Sequence, residues 1–389
     1  MKKGMSEIDK KKNILMISIT DIGSNESLGV SKKILGQYKA FQNIGYNVYN
    51  LCLYQGQAVI IHKDNYTFLF PKKAMDYYTY IKIFGSAKKI VLEKQIDICY
   101  IRYSLADWVF MKTIKELKGL CRIIIEMPTF PYDYDMSRET NIIAKIDYWQ
   151  DKHNRDRIKN YIDMFVNYHG HEEIYGVRAL PIDNGIVCDT VKYVGDLVQY
   201  ESDINLIGVA LIINIHGYDR LIKGIKAYYS QSNNKRKIMF YIVGDGPEVP
   251  HLINMVNEYG LNDYVVFTGV KAGEELDKLF ADSNIAVASL AAHRRGGKVT
   301  SELKVKEYCA RGIPYIATSK DNAIPDNLCF NKLFPANEDP IDIEQVIEFY
   351  EYIKAHPEIH RQMRTYAEEN LTWEKQLKKV MDEVEKPEK

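Results

Sequence analysis

The sequence contains no apolar run near the roughly 18 residues that a membrane-crossing helix requires, and Met1 leads into a charged stretch without an apolar signal-peptide core. A chain that is neither exported nor membrane-spanning is expected. Neither charge is in excess: lysine plus arginine and aspartate plus glutamate number 52 each, which removes any whole-molecule attraction to nucleic acid. The cysteines Cys52, Cys99, Cys121, Cys188, Cys309 and Cys329 lack the short paired spacing of a zinc site or a redox dithiol, so a reducing, cytoplasmic setting is expected. Internal repeats are missing, and so are low-complexity tracts beyond the charged ends. The richest basic group, Lys2, Lys3, Lys10, Lys11 and Lys12, reads either as a solvated tail or as a peripheral contact with an anionic inner membrane face.

What is present is ample apolar material. Over 389 residues, 46% hydrophobic content with 27% charged residues is the balance of a folded globular chain, and the length suits two domains. The pattern is alternating. A strand at Asn13 to Ile19 leads through a polar glycine-bearing loop to a helix marked by Val30, Ile34, Tyr38 and Phe41, and Gly45 separates it from a strand at Asn47 to Leu53. Residues 55–70 break the alternation and suggest a hairpin. Further strands are expected at Asp97 to Tyr103, Cys121 to Glu126 and Met164 to Asn167, with helices near Leu105 to Lys118 and Asn141 to Lys159.

After the turn signal Ile182-Asp183-Asn184-Gly185 the alternation restarts, with strands at Asn205 to Val209, Lys237 to Val243, Tyr264 to Thr268, Ile285 to Ser289 and Ile313 to Thr318. Helices are expected at Gly217 to Tyr229, up to Gly260, at Gly273 to Ala281 and at Ser301 to Arg311. Two such series imply two doubly wound α/β domains with parallel sheets covered on both faces. The expected division is residues 1–195, 196–365, and a C-terminal helix in 366–389 packing back on the first domain.

Ligands of open α/β sheets settle beyond the carboxyl ends of the strands, so the loops there supply the candidates. Ala291 to Lys298 concentrates cations and glycines just before a helix, which suits a diphosphate or, alternatively, is a solvated basic loop. A glutamate on the following helix, Glu307, has the chemistry to accept from both hydroxyls of a ribose. His169 and His171 flank Gly170 after a strand, but two histidines alone do not make a metal site. Arg102, at another strand end, reads as a ligand contact or as an ordinary ion pair. Most of the 29 tyrosines fill cores, and exposed ones can stack on sugar rings.

Ser301-Glu302-Leu303-Lys304-Val305-Lys306-Glu307-Tyr308-Cys309-Ala310-Arg311-Gly312-Ile313-Pro314 resembles the donor-binding signature of glycosyltransferase family 4. His216-Gly217-Tyr218-Asp219-Arg220, Val243-Gly244-Asp245-Gly246-Pro247 and Asn184-Gly185-Ile186 resemble further segments of that family in the family's order. Glu126-Met127-Pro128-Thr129-Phe130-Pro131-Tyr132 is similar to a segment of capsule and exopolysaccharide enzymes. The resemblance implies the GT-B fold, two Rossmann-like domains facing a central cleft.

The function it implies is a retaining, metal-independent transfer of a hexosyl group (EC 2.4) from a nucleoside-diphosphate sugar to a hydroxyl of a glycan or lipid-linked acceptor in bacterial surface polysaccharide synthesis. No cofactor is implied. His216, Arg220 and Lys304 are then expected in catalysis; Glu307, Gly29, Gly244, Arg294, Ser301, Glu302 and Leu303 at the donor; and Glu126, Thr129, Arg102 and His169 at the acceptor. Three positions depart from the family: Val299 replaces a glutamate, Leu211 an arginine and His216 a lysine. Those departures motivate one alternative, a non-catalytic GT-B subunit; a second is another enzyme of the same fold, such as a sugar-nucleotide epimerase or a phosphorylase. Donor base, sugar, linkage and oligomeric state are not legible.

Overall fold

In the computed structural model, the structure describes residues 11–24, 28–70, 76–137, 140–231, 236–295 and 299–386. They form two compact units, Met1–Asp183 with Trp373–Lys389, and Asn184–Thr372.

The first unit opens with β1 (Asn13–Asp21), α1 (Leu28–Asn43), β2 (Asn47–Tyr54), β3 (Gln57–His62) and β4 (Asn65–Phe68). It continues with α2 (Asp76–Lys94), β5 (Ile98–Arg102), α3 (Trp108–Leu117), β6 (Arg122–Met127), α4 (Asp133–Ser137), α5 (Ile142–Asn154), β7 (Met164–Asn167), β8 (Glu173–Ile174) and β9 (Val177–Pro181). Its sheet runs β4-β3-β2-β1-β5-β6-β7-β9-β8. The run β2-β1-β5-β6-β7-β9 is parallel, and the expected hairpin is the antiparallel β2-β3-β4 edge. Strands such as Ile123, Ile124 and Ile125 are apolar on both sides because helices cover both faces. The helix expected to reach Lys159 ends at Asn154, and residues 155–160 tighten into a 3₁₀ turn.

The second unit contains β10 (Ile204–Val209), α6 (Tyr218–Gln231), β11 (Ile238–Val243), α7 (Val249–Tyr259), β12 (Val265–Gly269), α8 (Gly273–Ala281), β13 (Ile285–Val287) and β14 (Val299–Thr300). There follow α9 (Leu303–Arg311), β15 (Tyr315–Ala317), β16 (Lys320–Asp321), β17 (Asn331–Leu333), α10 (Ile343–Ala355) and α11 (Glu358–Asn370). Its six-stranded sheet runs β12-β11-β10-β13-β15-β17, all parallel. Numbered within the unit, this is the order 3-2-1-4-5-6 of a dinucleotide-binding sheet, which reverses direction between β10 and β13.

The chain returns to the first unit as α12 (Trp373–Val384), which packs along α1 with Trp373, Leu377, Val380 and Val384 buried. Residues 184–195, expected with the first domain, belong to the second unit, as do residues 366–372. The reason is hydrogen bonding. Asn184 joins Ser301 through its backbone N and its side chain, Ile186 N donates to Leu371 O, and Val194 N donates to Arg311 O.

Candidate functional site

The reversal of strand order between β10 and β13 leaves an opening at the carboxyl edge of the second unit, walled by the loops after those strands and by the start of α9. Gly217 lets the β10 loop lie against the β13 loop. Its φ is +61°, and a Cβ there would stand 2.7 Å from Ala291 Cβ. Gly244, at the end of β11, is equally constrained, because a Cβ would fall 1.9 Å from Ala210 O.

Lys304 lies in the first turn of α9. Its Nζ is enclosed and has no hydrogen-bond partner, and the nearest ring is that of Tyr218, 5.9 Å away at its centroid. Burial lowers its pKa to about 8, although the carboxylate of Glu302 opposes that shift. The Tyr218 hydroxyl is also buried without a partner. Glu302 accepts from Ser289 Oγ at 2.8 Å. An unpaired ammonium, an unpaired hydroxyl and a carboxylate thus share the N-terminal end of a helix, where backbone N–H groups favour anions.

This end is held rigidly from behind. Lys306 donates to both oxygens of Asp321 at 2.6 Å in a fully buried ion pair, and to Ser301 Oγ at 3.0 Å. Asp321 also accepts from the backbone N of Glu302. Ser301 therefore serves as a brace between Asn184 and Lys306. Leu303 begins the helix.

Two expected phosphate ligands are committed elsewhere. Arg220 is 1% exposed and donates to the carbonyls of Asp339, Leu290 and Pro335 and to Asn337 Oδ1. Every one of these acceptors lies in the loops after β13 and β17, so the guanidinium ties loops together. Arg294 forms paired bonds with Asp219 at 3.0 and 2.9 Å and with Glu338 at 2.9 and 2.5 Å, and a further bond with Asn214 O. Two carboxylates neutralise it. His216 is buried and accepts from Ile213 N through Nδ1, which in the neutral ring leaves the proton on Nε2. Gly296, Gly297 and Lys298 of the basic loop lie outside the described residues.

Glu307 is half-buried on α9. It accepts twice from Arg311, at 3.0 and 2.8 Å, and both bonds fall on Oε1; Arg311 in turn bonds Asp277 at 2.6 Å. Oε2 carries no bond among the described residues, so the carboxylate is oriented yet still able to accept.

In the first unit Glu126 is 1% exposed and fully engaged, which overturns its expected role at an acceptor. Lys33 and Arg102 lie 3.0 and 2.6 Å from Oε1, and Gln37 donates to Oε2 at 2.9 Å. Burial alone would raise its pKa, but Lys33 and Arg102 hold it at about 2. Burial lowers Lys33 to about 8 against the pull of Glu126. Lys33 also sits 3.5 Å over the Tyr168 ring. Arg102 is one-fifth exposed at the end of β5 and is the member of the network nearest to solvent.

Thr129 lies in the bend after β6 and His169 in the exposed turn after β7, where Asn167 Oδ1 accepts from the backbone N of both His169 and His171. Asn167 thus shapes this turn, and among the described residues no group of His, Cys, Asp and Glu is arranged to hold a metal. Gly29 is in the first turn of α1, where a Cβ would meet nothing within 4 Å, so the fold itself makes no demand for glycine there. Lys12, of the N-terminal basic group, pairs with Glu385 at 2.7 Å.

Sequence reasoning gave no individual role to Tyr218, Ser289, Asp321, Lys33 or Gln37. The last two carried a signal: both stand among the inward apolar positions of α1, where a polar residue requires a buried partner.

Residues 203–349 match the family model described as Glycosyl transferases group 1. The match runs from β10 into α10 and supports sugar transfer as the chain's chemistry. No curated protein matches the sequence. Among solved structures, a glycosyltransferase from Rickettsia africae is 14% identical with a TM-score of 0.62, covering 96% of this chain and 97% of its own. Sucrose-phosphate synthase from Thermosynechococcus elongatus is 16% identical at TM-score 0.63, covering 96% and 99%. The Anabaena protein HepE, solved in complex with UDP-glucose, is 11% identical at TM-score 0.56, covering 96% and 99%. These likenesses establish the fold as GT-B. Among the described residues no helix is long and apolar enough to cross a membrane.

Proposed function

We propose that this chain is a family 4 glycosyltransferase that moves a hexosyl group, with retention, from a nucleoside-diphosphate sugar to a hydroxyl of a glycan or lipid-linked acceptor in bacterial surface polysaccharide synthesis. The observation that carries the reading is the unpartnered, enclosed ammonium of Lys304 at the start of α9, inside the segment that matches the family. An isolated buried cation is costly unless an anion arrives to pair with it. A donor diphosphate supplies that anion.

In this reading Lys304 and the first N–H groups of α9 hold the diphosphate, and Glu307 Oε2 accepts from the ribose. As the bond between the sugar C1 and the phosphate oxygen breaks, negative charge grows on the diphosphate, and Lys304 stabilises it more in the transition state than in the ground state. The new bond from the acceptor oxygen to C1 forms on the face that the diphosphate leaves, and the acceptor proton passes to the departing phosphate oxygen. His216, in the turn before α6, and Tyr218, the first residue of α6, supply a neutral Nε2–H and a hydroxyl beside it. Arg102, Thr129 and His169 remain the candidates for acceptor contacts in the first unit.

The test is calorimetric titration of UDP-, GDP-, ADP- and dTDP-sugars, followed by transfer assays with the donor that binds. Glu307→Ala is expected to weaken that donor about tenfold while leaving inorganic pyrophosphate binding unchanged. Equal loss of both ligands would remove Glu307 from the ribose. A second reading, a donor-binding subunit without turnover, is favoured by the commitment of Arg220 and Arg294 to the protein's own groups. Donor binding without transfer or hydrolysis would select it.

A further inference from the structure

α5 presents to solvent a face that neither the core nor the proposed chemistry uses. Along it Ile142, Ile143, Ile146 and Trp149 are 69%, 58%, 51% and 66% exposed. At about 100° per residue, Ile142, Ile146, Trp149 and His153 fall within an arc of roughly 60°, and Ile143 widens it to roughly 120°. On the opposite side Asp151 is fully buried and accepts from Ala106 N at 2.8 Å, Tyr132 Oη at 2.6 Å and Tyr103 Oη. Gln150 accepts from Trp108 N, and Asn154 donates to Ala106 O. These bonds fix the rotation of the helix, so its apolar side is turned outward by the fold. Trp108, itself 49% exposed, adjoins it.

The surrounding charge is one-sided. Between residues 142 and 160 the exposed cations are Lys145, Lys152, Arg157 and Lys159, against one exposed carboxylate, Asp156, and one half-buried carboxylate, Asp147, beyond Ile143 on the other border of the arc. Lys145 and Lys152 lie along one border of the apolar arc. We propose that α5, together with Trp108, docks on an anionic lipid bilayer, lying in the plane of the interface with its isoleucines and tryptophan at the level of the headgroups.

Tryptophan at an interface, an apolar arc and bordering lysines are what that environment selects. A second copy of this chain is a poorer occupant, because a twofold contact over the arc would set Lys145 and Lys152 of both copies near one another. A glycan is poorer still, since three isoleucines offer no hydrogen bond to its hydroxyls. Gln150, Asp151 and Asn154 bond to the loop after β5 and the start of α3, so that end of α5 lies at the carboxyl edge of the first unit's sheet, where ligands of such sheets settle. A bilayer at α5 would bring a lipid-linked acceptor to that edge. This purpose rests on the proposed transfer, but the surface itself does not.

The test is co-sedimentation of the full chain with phosphatidylcholine vesicles, with and without phosphatidylglycerol, in the absence of donor and acceptor. The wild type is expected to pellet with the anionic vesicles and to show a blue shift of tryptophan emission. Ile143→Ser, Ile146→Ser and Trp149→Ser combined should reduce partitioning at least about tenfold without lowering the thermal midpoint, because these side chains are exposed. Lys145→Glu with Lys152→Glu should remove the preference for anionic lipid. Wild-type protein left in the supernatant with both vesicle types overturns the proposal, as does a serine variant that partitions equally well. Light scattering that shows a dimer abolished by the serine variant would assign the face to a second copy instead. Failure of transfer with vesicle binding intact would sink the transferase reading alone.

Discussion

Replacing Lys304 by methionine should stabilise the protein while weakening its ligand, two effects of opposite sign from one substitution. Methionine keeps the length of the stem and removes the charge. The fold holds the ammonium at a pKa of about 8 rather than 10.5, which corresponds to at most about 3 kcal/mol of disfavoured charge. Partial exposure of the side chain and loss of the weak contact with Tyr218 reduce the expected gain to roughly 1–2 kcal/mol, or about 3–6 °C in thermal midpoint for a unit of this size. Removing a charged partner from a diphosphate costs about 1.5–3 kcal/mol, so the donor Kd should rise about 10- to 100-fold. The assays are a thermal melt without ligand and a calorimetric titration with the sugar nucleotide. A pH series adds a signature. Below pH 8 Lys304 is charged in both the folded and unfolded states and its cost is fully present. Between 8 and 10.5 the folded state sheds the proton first, so the stability gap between wild type and variant closes, while wild-type donor affinity falls towards that of the variant. A lower midpoint in the variant, or an unchanged Kd, refutes the assignment.

The other buried charges give sharper tests of structure than of chemistry. Glu126→Gln leaves Lys33 and Arg102 without their carboxylate and should cost about 3–5 kcal/mol in urea denaturation followed by a probe of the first unit. Because the folded Glu126 titrates at about 2, below the ordinary value of 4.5, its stabilisation is fully present above pH 4.5 and disappears as the pH falls to 2, where wild type and variant should converge. Arg220→Lys cannot reproduce a planar fork bonded to three carbonyls and an amide oxygen, and should lower stability by about 2–3 kcal/mol while leaving donor affinity per folded molecule unchanged. Loss of affinity at full stability would restore Arg220 to the phosphate.

The alternation of strands and helices was legible because parallel strands buried on both faces are continuous apolar runs, as at Ile123 to Ile125, and the helices between them carry a regular stripe. α2 was overlooked although Ile83, Ala87, Ile90 and Val91 stand at helical spacing and are buried. The position of the division between the units was misplaced because the turn at Asn184 is only half of the signal. The other half is the pairing of Asn184 with Ser301, 117 residues away. Distance in sequence also explains the arginines. The family resemblance implied a catalytic role for Arg220, whereas its acceptors at Leu290 and Asp339 lie 70 and 119 residues away. The place of Glu307 on α9 was legible because its spacing within the helix is local, and local spacing is what a helix preserves.

Lys33 and Lys304 show how two lysines with the same depressed pKa, about 8, can have opposite purposes. Lys33 is enclosed with a carboxylate at 3.0 Å and an aromatic face at 3.5 Å, so its charge is answered within the first unit. Lys304 is enclosed with an aromatic ring at 5.9 Å, the Glu302 carboxylate near enough to oppose the effect of burial, and no hydrogen-bond partner, so in the proposed reading an entering anion completes its pairing. Burial alone therefore does not distinguish a structural cation from a ligand-binding one; the partner does. Methionine at position 33 would remove one of the two cations facing Glu126 and leave that carboxylate with Arg102 and Gln37. It should destabilise the first unit by about 2–4 kcal/mol in the melt where methionine at position 304 stabilises the second. If both substitutions shift the midpoint in the same direction, the partner-based distinction fails, and with it the reason for placing the donor diphosphate at Lys304.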